Sequence, residues 1–258
     1  MIDLHSHVLP GLDDGPETLA GSLELARAAL AAGTTTLVAT PHLNRLYEVD
    51  AAIARAALGE LRGHLAREGI ELELLGGAEI AVDRLASLSE EELLALRLGD
   101  GPYLLIESPL SSGTRVLTQS VQRLLSEGHR VLLAHPERCP GFQREPAALR
   151  ALVAQGARCS ITAGALEGRF GGIARRFSLT LLREGLVHDV ASDAHDSYRR
   201  SPDMRPGLAA AAASLPGADR QAAWLTERAP AAILAGEPLP PCPPLEPRGL
   251  RRRLLGRP

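Results

Sequence analysis

Apolar and polar residues follow two spacings that alternate along most of the chain. Between residues 18 and 32, leucine and alanine recur on one helical stripe, and Gly33 is placed to end that helix. The next segment, residues 35–40, is β-branched and apolar and stops at Pro41, which predicts a strand. An earlier strand is predicted at the N-terminus, where Ile2 and Leu4 alternate with polar residues. The chain therefore begins as strand, helix, strand.

The same order continues towards the C-terminus. The further predicted strands span residues 71–75, 103–106, 130–134, 159–162 and 185–191. The further predicted helices span residues 53–65, 89–96, 117–125, 146–155, 174–184, 206–213 and 220–229. Strands and helices that alternate about seven times indicate an α/β protein with a parallel sheet and helical crossovers. Seven or eight such units favour a closed barrel over an open sheet, and 258 residues are enough for one.

The pattern changes near residue 236. From residue 237 onward prolines are frequent, and Arg251, Arg252 and Arg253 follow near the end of the chain. Proline has no N–H to donate and prevents a helix, so residues 237–258 are predicted to form an extended, solvated tail. We therefore predict a single domain over residues 1–236.

Composition and charge narrow the class of protein. Hydrophobic residues make up 45% of the chain and the formal net charge is -3, so we expect no nucleic-acid partner. The three cysteines have neither paired spacing nor a Cys-x-x-Cys form, and the N-terminus lacks a basic region followed by an apolar run. We therefore expect reduced thiols in a cytoplasmic protein without a signal peptide.

Histidines and carboxylates concentrate near the ends of the predicted strands. His5 and His7 lie two residues apart on the first strand and therefore project from the same face. Taken alone, such a pair fits a polar strand end as well as a metal site. Because the carboxyl ends of parallel strands face one rim of a barrel, donors from distant segments are expected to converge there. The candidate metal ligands are His5, His7, Asp14, His42, Glu79, Glu107, His135, Asp193 and His195.

The distribution of histidines supports a metal site. Five of the eight histidines belong to this set; His64 and His129 lie in or after helices and are predicted to be on the surface, and His188 opens a strand at the opposite rim. Imidazoles and carboxylates without thiolates suit Mn²⁺, Zn²⁺ or iron. Nine donors exceed the needs of one ion, so we expect two or three ions about 3.5–4 Å apart, an arrangement that activates water for hydrolysis.

These donors lie in motifs that resemble a known superfamily. The motifs of the polymerase and histidinol phosphatase (PHP) superfamily are matched by His5-x-His7, Thr40-Pro41-His42, Gly77-Ala78-Glu79-Ile80, Glu107, His135-Pro136-Glu137-Arg138 and Ser192-Asp193-Ala194-His195. More specifically, residues 3–15, 39–42 and 133–138 are similar to the CpsB/CapC-type bacterial protein-tyrosine phosphatases, which act on exopolysaccharide kinases. The resemblance extends over about residues 1–236.

The resemblance implies a fold, a cofactor and a substrate. The implied fold is a distorted TIM-like (β/α)₇ barrel, the PHP fold, with a trinuclear site that favours Mn²⁺. The implied substrate is a phosphotyrosine protein, such as a membrane-associated tyrosine kinase that regulates capsular or exopolysaccharide synthesis. Carried over residue by residue, the resemblance makes seven ligands firmer than Asp14 and His42, namely His5, His7, Glu79, Glu107, His135, Asp193 and His195.

The sequence departs from the family pattern at one position. Family members often have a second histidine directly after the Thr-Pro-His step, where this chain has Leu43. If that second histidine were the ligand, the site would lack one donor. We expect His42 to serve as the ligand, because it is nearest the strand end.

We predict that the site hydrolyses a phosphomonoester, with Arg138 and His42 as the catalytic residues. Arg138 lies three residues after His135 and would bind the phosphate through its planar guanidinium group. The alternative for Arg138 is a salt bridge with Glu137 or Glu145. Three further arginines follow the last candidate ligands and would either extend this anion-binding surface or remain solvated: Arg199, Arg200 and Arg205.

Other functions remain as alternatives. Cys242 and Arg248 match the Cys-x₅-Arg spacing of cysteine-dependent phosphatases, but three of the five intervening residues are prolines, which cannot donate an N–H to phosphate. A small-molecule phosphatase, such as one for histidinol phosphate, would use the same metal site. A non-catalytic metal-binding barrel would require missing ligands, for which only Leu43 gives support. A nuclease is disfavoured by the acidic net charge.

Overall fold

Parallel strands and crossover helices alternate along the chain. The structure, a computed structural model, describes residues 1–110 and 113–246. Its strands are β1 (Ile2–Ser6), β2 (Thr36–Ala39), β3 (His42–Leu43), β4 (Glu73–Gly76), β5 (Glu79–Ile80), β6 (Tyr103–Glu107), β7 (Arg130–Ala134), β8 (Arg158–Thr162) and β9 (Asp189–Ala191). Its α-helices are α1 (Leu19–Ala31), α2 (Ala51–Arg67), α3 (Glu90–Ala95), α4 (Arg115–Ser126), α5 (Pro140–Arg144), α6 (Pro146–Ala154), α7 (Ala163–Glu167), α8 (Gly171–Arg183), α9 (Arg205–Ser214) and α10 (Ala229–Ala235).

The strands form two parallel sheets. One sheet has the strand order β1-β2-β4, and the other has the order β3-β5-β6-β7-β8-β9. A parallel bridge between Ser6 and Ala194 connects the end of β1 to the segment after β9. The predicted α/β class with parallel pairing is therefore confirmed, with the hydrogen-bonded ladder divided between two sheets.

Two strand breaks produce the second sheet. Pro41 separates β2 from β3, and Gly77 and Ala78 separate β4 from β5. Proline has no N–H for the ladder, so β2 cannot continue through this position with regular pairing. Beyond the breaks β3 and β5 pair with each other, and His42 lies opposite Glu79. The breaks therefore place two candidate ligands side by side at the carboxyl end of the strands.

Both faces of the central strands are buried, as expected for a parallel sheet with helical crossovers. In β7, Val131 and Leu133 pack in one apolar cluster, whereas Leu132 and Ala134 pack in another. The second cluster also takes side chains from β1, β2 and β6 and includes Ile233 of α10. Because this cluster contains residues of both sheets, the two sheets share one core.

Local capping sets where the first helices begin. The hydroxyl of Thr18 caps α1, and the carboxylate of Asp50 caps α2 by accepting from two backbone N–H groups. Ser89 and Glu92 form a capping box at the start of α3. These helices begin within a few residues of their predicted starts. Among the described residues, no helix combines the length and apolarity needed to cross a bilayer.

The structure refines one sequence prediction and contradicts another. The predicted helix over residues 220–229 is helical throughout but irregular, because a 3₁₀ segment (Ala218–Gln221) is followed by a π-helical turn (Trp224–Arg228). Pro230 directly follows this region and cannot donate the regular helical hydrogen bond. His129, predicted to be on the surface, is buried, and its Nε2 atom lies 3.1 Å from a Glu90 carboxylate oxygen. It directly precedes β7, so packing around that strand covers it.

Residues 237–246 lie against the domain without regular secondary structure. The Trp224 indole N–H donates to the Pro240 carbonyl at 2.9 Å, and the Gln221 amide donates to the Pro243 carbonyl at 2.7 Å. Proline lacks a donor but keeps its carbonyl acceptor, which is the group used here. These residues are therefore extended and mostly exposed, as predicted, but hydrogen bonds also hold them against the domain. Five arginines of the predicted tail lie outside the described residues: Arg248, Arg251, Arg252, Arg253 and Arg257.

Candidate metal centre

The nine candidate ligands converge at the carboxyl ends of the strands. Most of them lie in the strand ends or directly after them, and Asp14 lies in the loop between β1 and α1. Their donor atoms form four overlapping groups, each with all its donor atoms within 4.8 Å of one another. The groups are His7, Asp14, His42 and His195; His5, His7 and Asp193; His5, Glu79 and His135; and His42, Glu79 and Glu107.

Glu79 is the carboxylate shared by the imidazoles. One of its oxygens, Oε1, lies 2.7 Å from His135 Nε2. The other, Oε2, lies 3.3 Å from His5 Nε2, 3.5 Å from His7 Nε2 and 3.0 Å from His42 Nδ1. A carboxylate with donors on both oxygens is suited to bridging two ions.

Asp193 is the second central carboxylate. Its Oδ1 atom lies 3.6 Å from His5 Nε2 and 3.5 Å from His7 Nε2. Asp193 and His135 are the two non-glycine residues with positive φ among the described residues, at 53° and 34°. This left-handed backbone is unfavourable for residues with a Cβ. The turns after β7 and β9 therefore adopt costly conformations that direct both side chains into the cluster.

Several buried donor atoms in the cluster lack hydrogen-bond partners. They are His42 Nδ1, Glu79 Oε2, His135 Nδ1 and His195 Nε2. The 3.0 Å approach of His42 Nδ1 to Glu79 Oε2 is short but does not have hydrogen-bond geometry. A buried polar atom without a partner raises the free energy of the folded state. A cation bound between these atoms would give each of them a partner. The donor set therefore fits a cluster of divalent ions.

Burial and charge act in opposite directions on the acidic groups. Burial alone would raise the pKa of Glu79, but His5 and His135 hold that pKa well below its usual value. Asp193 is affected in the same way, because His5, His7 and Arg200 offset its burial and lower its pKa. Glu107 differs, because burial together with the Glu79 charge raises its pKa to about 7. The two central carboxylates are therefore ionised, as metal ligands must be.

The pKa values of the imidazoles are also shifted in different directions. Burial lowers the pKa of His135 and of His195, which favours the neutral form that ligates metals. Burial would also lower the pKa of His7, but hydrogen bonds to Asp13, Asp193 and Glu79 raise it well above its usual value. His7 lies where the negative charge converges, which is also where a cation would be most strongly attracted.

Comparison with known proteins identifies the family. The family model described as "Capsular polysaccharide synthesis, CpsB/CapC" matches residues 1–233. The chain belongs to this family. The resemblance found in the sequence motifs is therefore confirmed over almost the whole chain.

Named relatives of this CpsB/CapC chain are phosphatases. It is 40% identical over 204 residues to the tyrosine-protein phosphatase YwqE of Bacillus subtilis, covering 78% of this chain and 80% of the relative. It is 32% identical over 203 residues to the putative tyrosine-protein phosphatase CapC of Staphylococcus aureus, covering 78% of this chain and 79% of the relative.

Solved structures agree with this family. A structure from work on YwqE of Bacillus subtilis and CpsB of Streptococcus pneumoniae, described there as unique metal-dependent tyrosine phosphatases, superposes with a TM-score of 0.81 and 36% identity. The match covers 96% of this chain and all of the other. A histidinol phosphate phosphatase of Lactococcus lactis superposes with a TM-score of 0.52 and 11% identity, covering 83% of this chain and 92% of that one, which supports a shared fold alone.

Two of the four arginines singled out in the sequence reach the cluster. Arg138 donates to Asp193 Oδ2 at 2.7 Å, and Arg200 donates to the same oxygen at 2.6 Å. The Arg138 guanidinium also lies over the Phe170 ring, 4.2 Å from its centroid. The alternative for Arg138, a salt bridge with Glu137 or Glu145, is not the pairing found. Arg199 and Arg205 make other contacts: Arg199 lies over the Tyr198 ring, and Arg205 is exposed and paired with Asp203.

The structure separates His42 from its neighbour Leu43. The His42 ring faces Glu79 and Asp14, whereas Leu43 is 1% exposed and packs in the apolar core. On a strand, consecutive side chains point to opposite faces, so only one of the two can reach the cluster. Of these two positions, the structure therefore places the His42 side chain at the cluster, and its role as a ligand stays a prediction.

Two residues near the cluster were missed in the sequence. Asp13 Oδ2 lies 2.7 Å from His7 Nδ1 and also accepts from the His42 backbone N–H at 2.9 Å. The Tyr47 ring stacks on the His42 ring, with centroids 5.9 Å apart and an interplanar angle of 9°. The adjacent acids Asp13 and Asp14 gave a signal that one of them was a ligand, but spacing could not show that the other orients an imidazole. No sequence pattern distinguished Tyr47.

Proposed function

We propose that this CpsB/CapC protein is a metal-dependent protein-tyrosine phosphatase that hydrolyses phosphotyrosine in a protein substrate. The observation that carries the proposal is the convergence of nine metal-ligand side chains with two arginines on one cluster. The choice of phosphotyrosine as the substrate rests on family membership and on the names of the relatives. We further propose that the substrate is a membrane-associated tyrosine kinase that regulates capsular or exopolysaccharide synthesis, and that the enzyme acts in the cytoplasm.

Two or three divalent ions are proposed as the cofactor. The four donor groups would hold them; four residues each belong to two of these groups, namely His5, His7, His42 and Glu79. Mn²⁺ is the proposed ion, with iron or Zn²⁺ as the alternatives that suit the same imidazole and carboxylate donors. Such ions lower the pKa of a bound water and polarise phosphoryl oxygens.

The chain's own side chains would bind and orient the phosphoryl group. Arg138 and Arg200 both point to Asp193 Oδ2 and can direct further N–H groups to phosphoryl oxygens. The Phe170 ring supports the Arg138 guanidinium from one face. Asp13 fixes the orientation of the His7 ring. Asp14 is the candidate ligand most open to solvent, with its side chain 45% exposed, so a phosphate ester would enter beside it.

The finer architecture is also part of the proposal. We propose that the two sheets together form the distorted (β/α)₇ barrel of the PHP fold. The bridge between Ser6 and Ala194, and the core that the two sheets share, support this arrangement. We also propose that residues 1–236 form a single domain, with residues 237–258 as its C-terminal extension.

The test is hydrolysis of a phosphotyrosine peptide, with histidinol phosphate as the competing substrate. The protein loaded with Mn²⁺ should hydrolyse the peptide with a higher kcat/KM than histidinol phosphate, and chelation should remove both activities. His135→Ala should lower kcat by more than about 100-fold, because it removes a ligand and not an outer-shell contact. Phosphate release and metal content of the purified protein are the measurements.

Two controls separate chemistry from folding. His135→Asn removes the imidazole but tolerates the left-handed backbone at this position, so in the presence of a chelator the thermal unfolding of this variant should resemble that of the wild type. His64→Ala changes a half-buried histidine on α2, away from the cluster, and should keep full activity. Full activity of the His135 variants would refute the proposed site. Preference for histidinol phosphate would refute the proposed substrate and leave the metal site in place.

A further inference from the structure

A cavity separate from the candidate metal centre lies between α2 and α3. Its volume is about 290 Å³. Its walls come from α2, from the ends of β2 and β4, and from the segment that follows α3, and they include Leu9, Leu58, Leu75 and Leu94. None of the nine candidate metal ligands lines it. The cavity is therefore separate from the metal centre.

Three arginines line this cavity. Arg55 and Arg62 are seven residues apart on α2 and so share one helical face with Leu58, and Arg97 approaches from the end of α3. The Nε atom of Arg62 donates to the Leu74 carbonyl at 2.7 Å, which fixes that side chain along the wall. The Nε atom of Arg97 is buried and has no hydrogen-bond partner.

These arginines lack acidic partners. Within residues 1–110 and 113–246, no carboxylate oxygen lies within 4.0 Å of their guanidinium nitrogens. Asp100 is the one acidic residue among the lining side chains. Arg55 and Arg62 are exposed and Arg97 is partly buried, so the three guanidinium groups give the cavity a net positive charge that would attract an anion.

We propose that the cavity binds a small phosphorylated molecule with an apolar body. Guanidinium groups present paired N–H donors that match the oxygens of a phosphate or phosphonate dianion. The leucine side chains would contact the apolar body, and the volume is close to the lower limit of small-molecule sites, about 300 Å³. The competing explanation is that the arginine stems only cover apolar surface and keep their charged ends in water.

The experiment uses phenylphosphonate, which carries a dianion on an apolar ring and has no ester bond to hydrolyse. Titration calorimetry on the full chain loaded with Mn²⁺ should show two binding events per chain, one at the metal centre and one at the cavity. Arg55→Gln/Arg97→Gln should weaken the cavity event by about tenfold or more, because charge-assisted hydrogen bonds are lost. The double variant should hydrolyse the phosphotyrosine peptide as fast as the wild-type protein.

The matched control is Arg67→Gln. Arg67 is exposed at the end of α2 and lies outside the cavity. Its substitution should therefore leave both binding events unchanged. Thermal unfolding of each variant checks that the fold is kept. A crystal structure with phenylphosphonate should show it between Arg55 and Arg97. Density confined to the metal centre, or an equal second binding event in the double variant, would overturn the proposal.

Discussion

Asp13 and Asp14 are adjacent carboxylates with different contacts. Asp14 Oδ1 lies 3.1 Å from His195 Nε2 and belongs to a donor group, whereas Asp13 binds the far nitrogen of His7 and the backbone of His42. A carboxylate on the far nitrogen of a ligating imidazole fixes its tautomer and makes its other nitrogen a better donor. Asp14 is therefore placed to contact an ion, whereas Asp13 is placed to orient a side chain that contacts one.

Asp13→Asn should lower metal affinity and kcat by about 10–100-fold, because the neutral amide orients His7 less strongly. Metal titration and steady-state kinetics on the phosphotyrosine peptide measure the two effects. Raising the Mn²⁺ concentration should restore part of the activity, which a misfolded variant would not show. Asp219→Asn changes an exposed acid on a 3₁₀ segment and serves as the control. Wild-type kinetics and affinity in Asp13→Asn would contradict the orienting role.

His188 links stability to pH at the opposite end of the strands. Its Nδ1 atom accepts from the Cys159 backbone N–H at 3.1 Å, and burial, with Arg158, lowers its pKa from 6.5 to about 3. Below pH 6.5 the unfolded chain binds a proton that the folded chain does not. Stability present above pH 6.5 is therefore lost as the pH falls towards 3, by up to roughly 1.4 kcal/mol per pH unit.

His188→Gln should reduce this dependence, because glutamine does not titrate. Urea unfolding of wild type and variant, followed from pH 7 to pH 4.5 in the presence of a chelator, gives the free energy of unfolding at each pH. The chelator removes the contribution of metal release. The wild-type curve should fall more steeply than that of the variant. Parallel curves would show that His188 does not titrate differently in the two states.

At the scale of elements, the close packing of α7 and α9 depends on one glycine. A Cβ at Gly207 would lie 2.3 Å from the Ala163 carbonyl oxygen, closer than any real contact. In contrast, a Cβ at Gly59 in the interior of α2 would meet nothing within 4 Å.

These two glycines make a matched pair. Gly207→Ala should destabilise the protein by about 1–3 kcal/mol, because backbone must move to relieve the overlap. Gly59→Ala should stabilise it by about 0.5–1 kcal/mol, because alanine favours a helix and the space is open. Chemical denaturation measures both changes. Equal effects of the two substitutions would contradict the packing described here.

At the scale of the whole molecule, the ligands come from both ends of the folded chain. His5 lies in the first strand and His7 directly after it, and Asp193 and His195 follow the last strand. The bridge between Ser6 and Ala194 lies at the same level. Ions held by these residues would join the two sheets, so metal binding is expected to stabilise the entire fold.

Removing the metals should therefore lower Tm. Ions that bind only the folded chain stabilise it in proportion to the logarithm of their free concentration, so Tm should rise with added Mn²⁺ after chelation. Scanning calorimetry with and without chelator measures the shift. His135→Asn should show a smaller shift than wild type, because it has lost a ligand. A Tm independent of Mn²⁺ in the wild-type protein would contradict metal binding at this cluster.

Much of the fold and of the site could be predicted from local spacing. Alternation along β1 placed His5 and His7 on one face, and the structure brings their Nε2 atoms within 3.2 Å. Strand ends marked Glu79, His135 and Asp193 as donors, because parallel strands present their carboxyl ends at one edge. The convergence of these side chains could be predicted because it depends on periodicity and on topology, which the order of residues carries directly.

Other features were decided only by tertiary contacts. Sequence spacing gave no means to choose between Arg200 and its neighbours, because the loop after β9 determines which guanidinium reaches Asp193. It also could not show that His129 is buried, or that Pro41 and the Gly77-Ala78 break divide the strands between two sheets. Side-chain direction in loops depends on turn geometry and on neighbours distant in sequence. The residue order therefore determined which groups are available, and packing determined which of them meet.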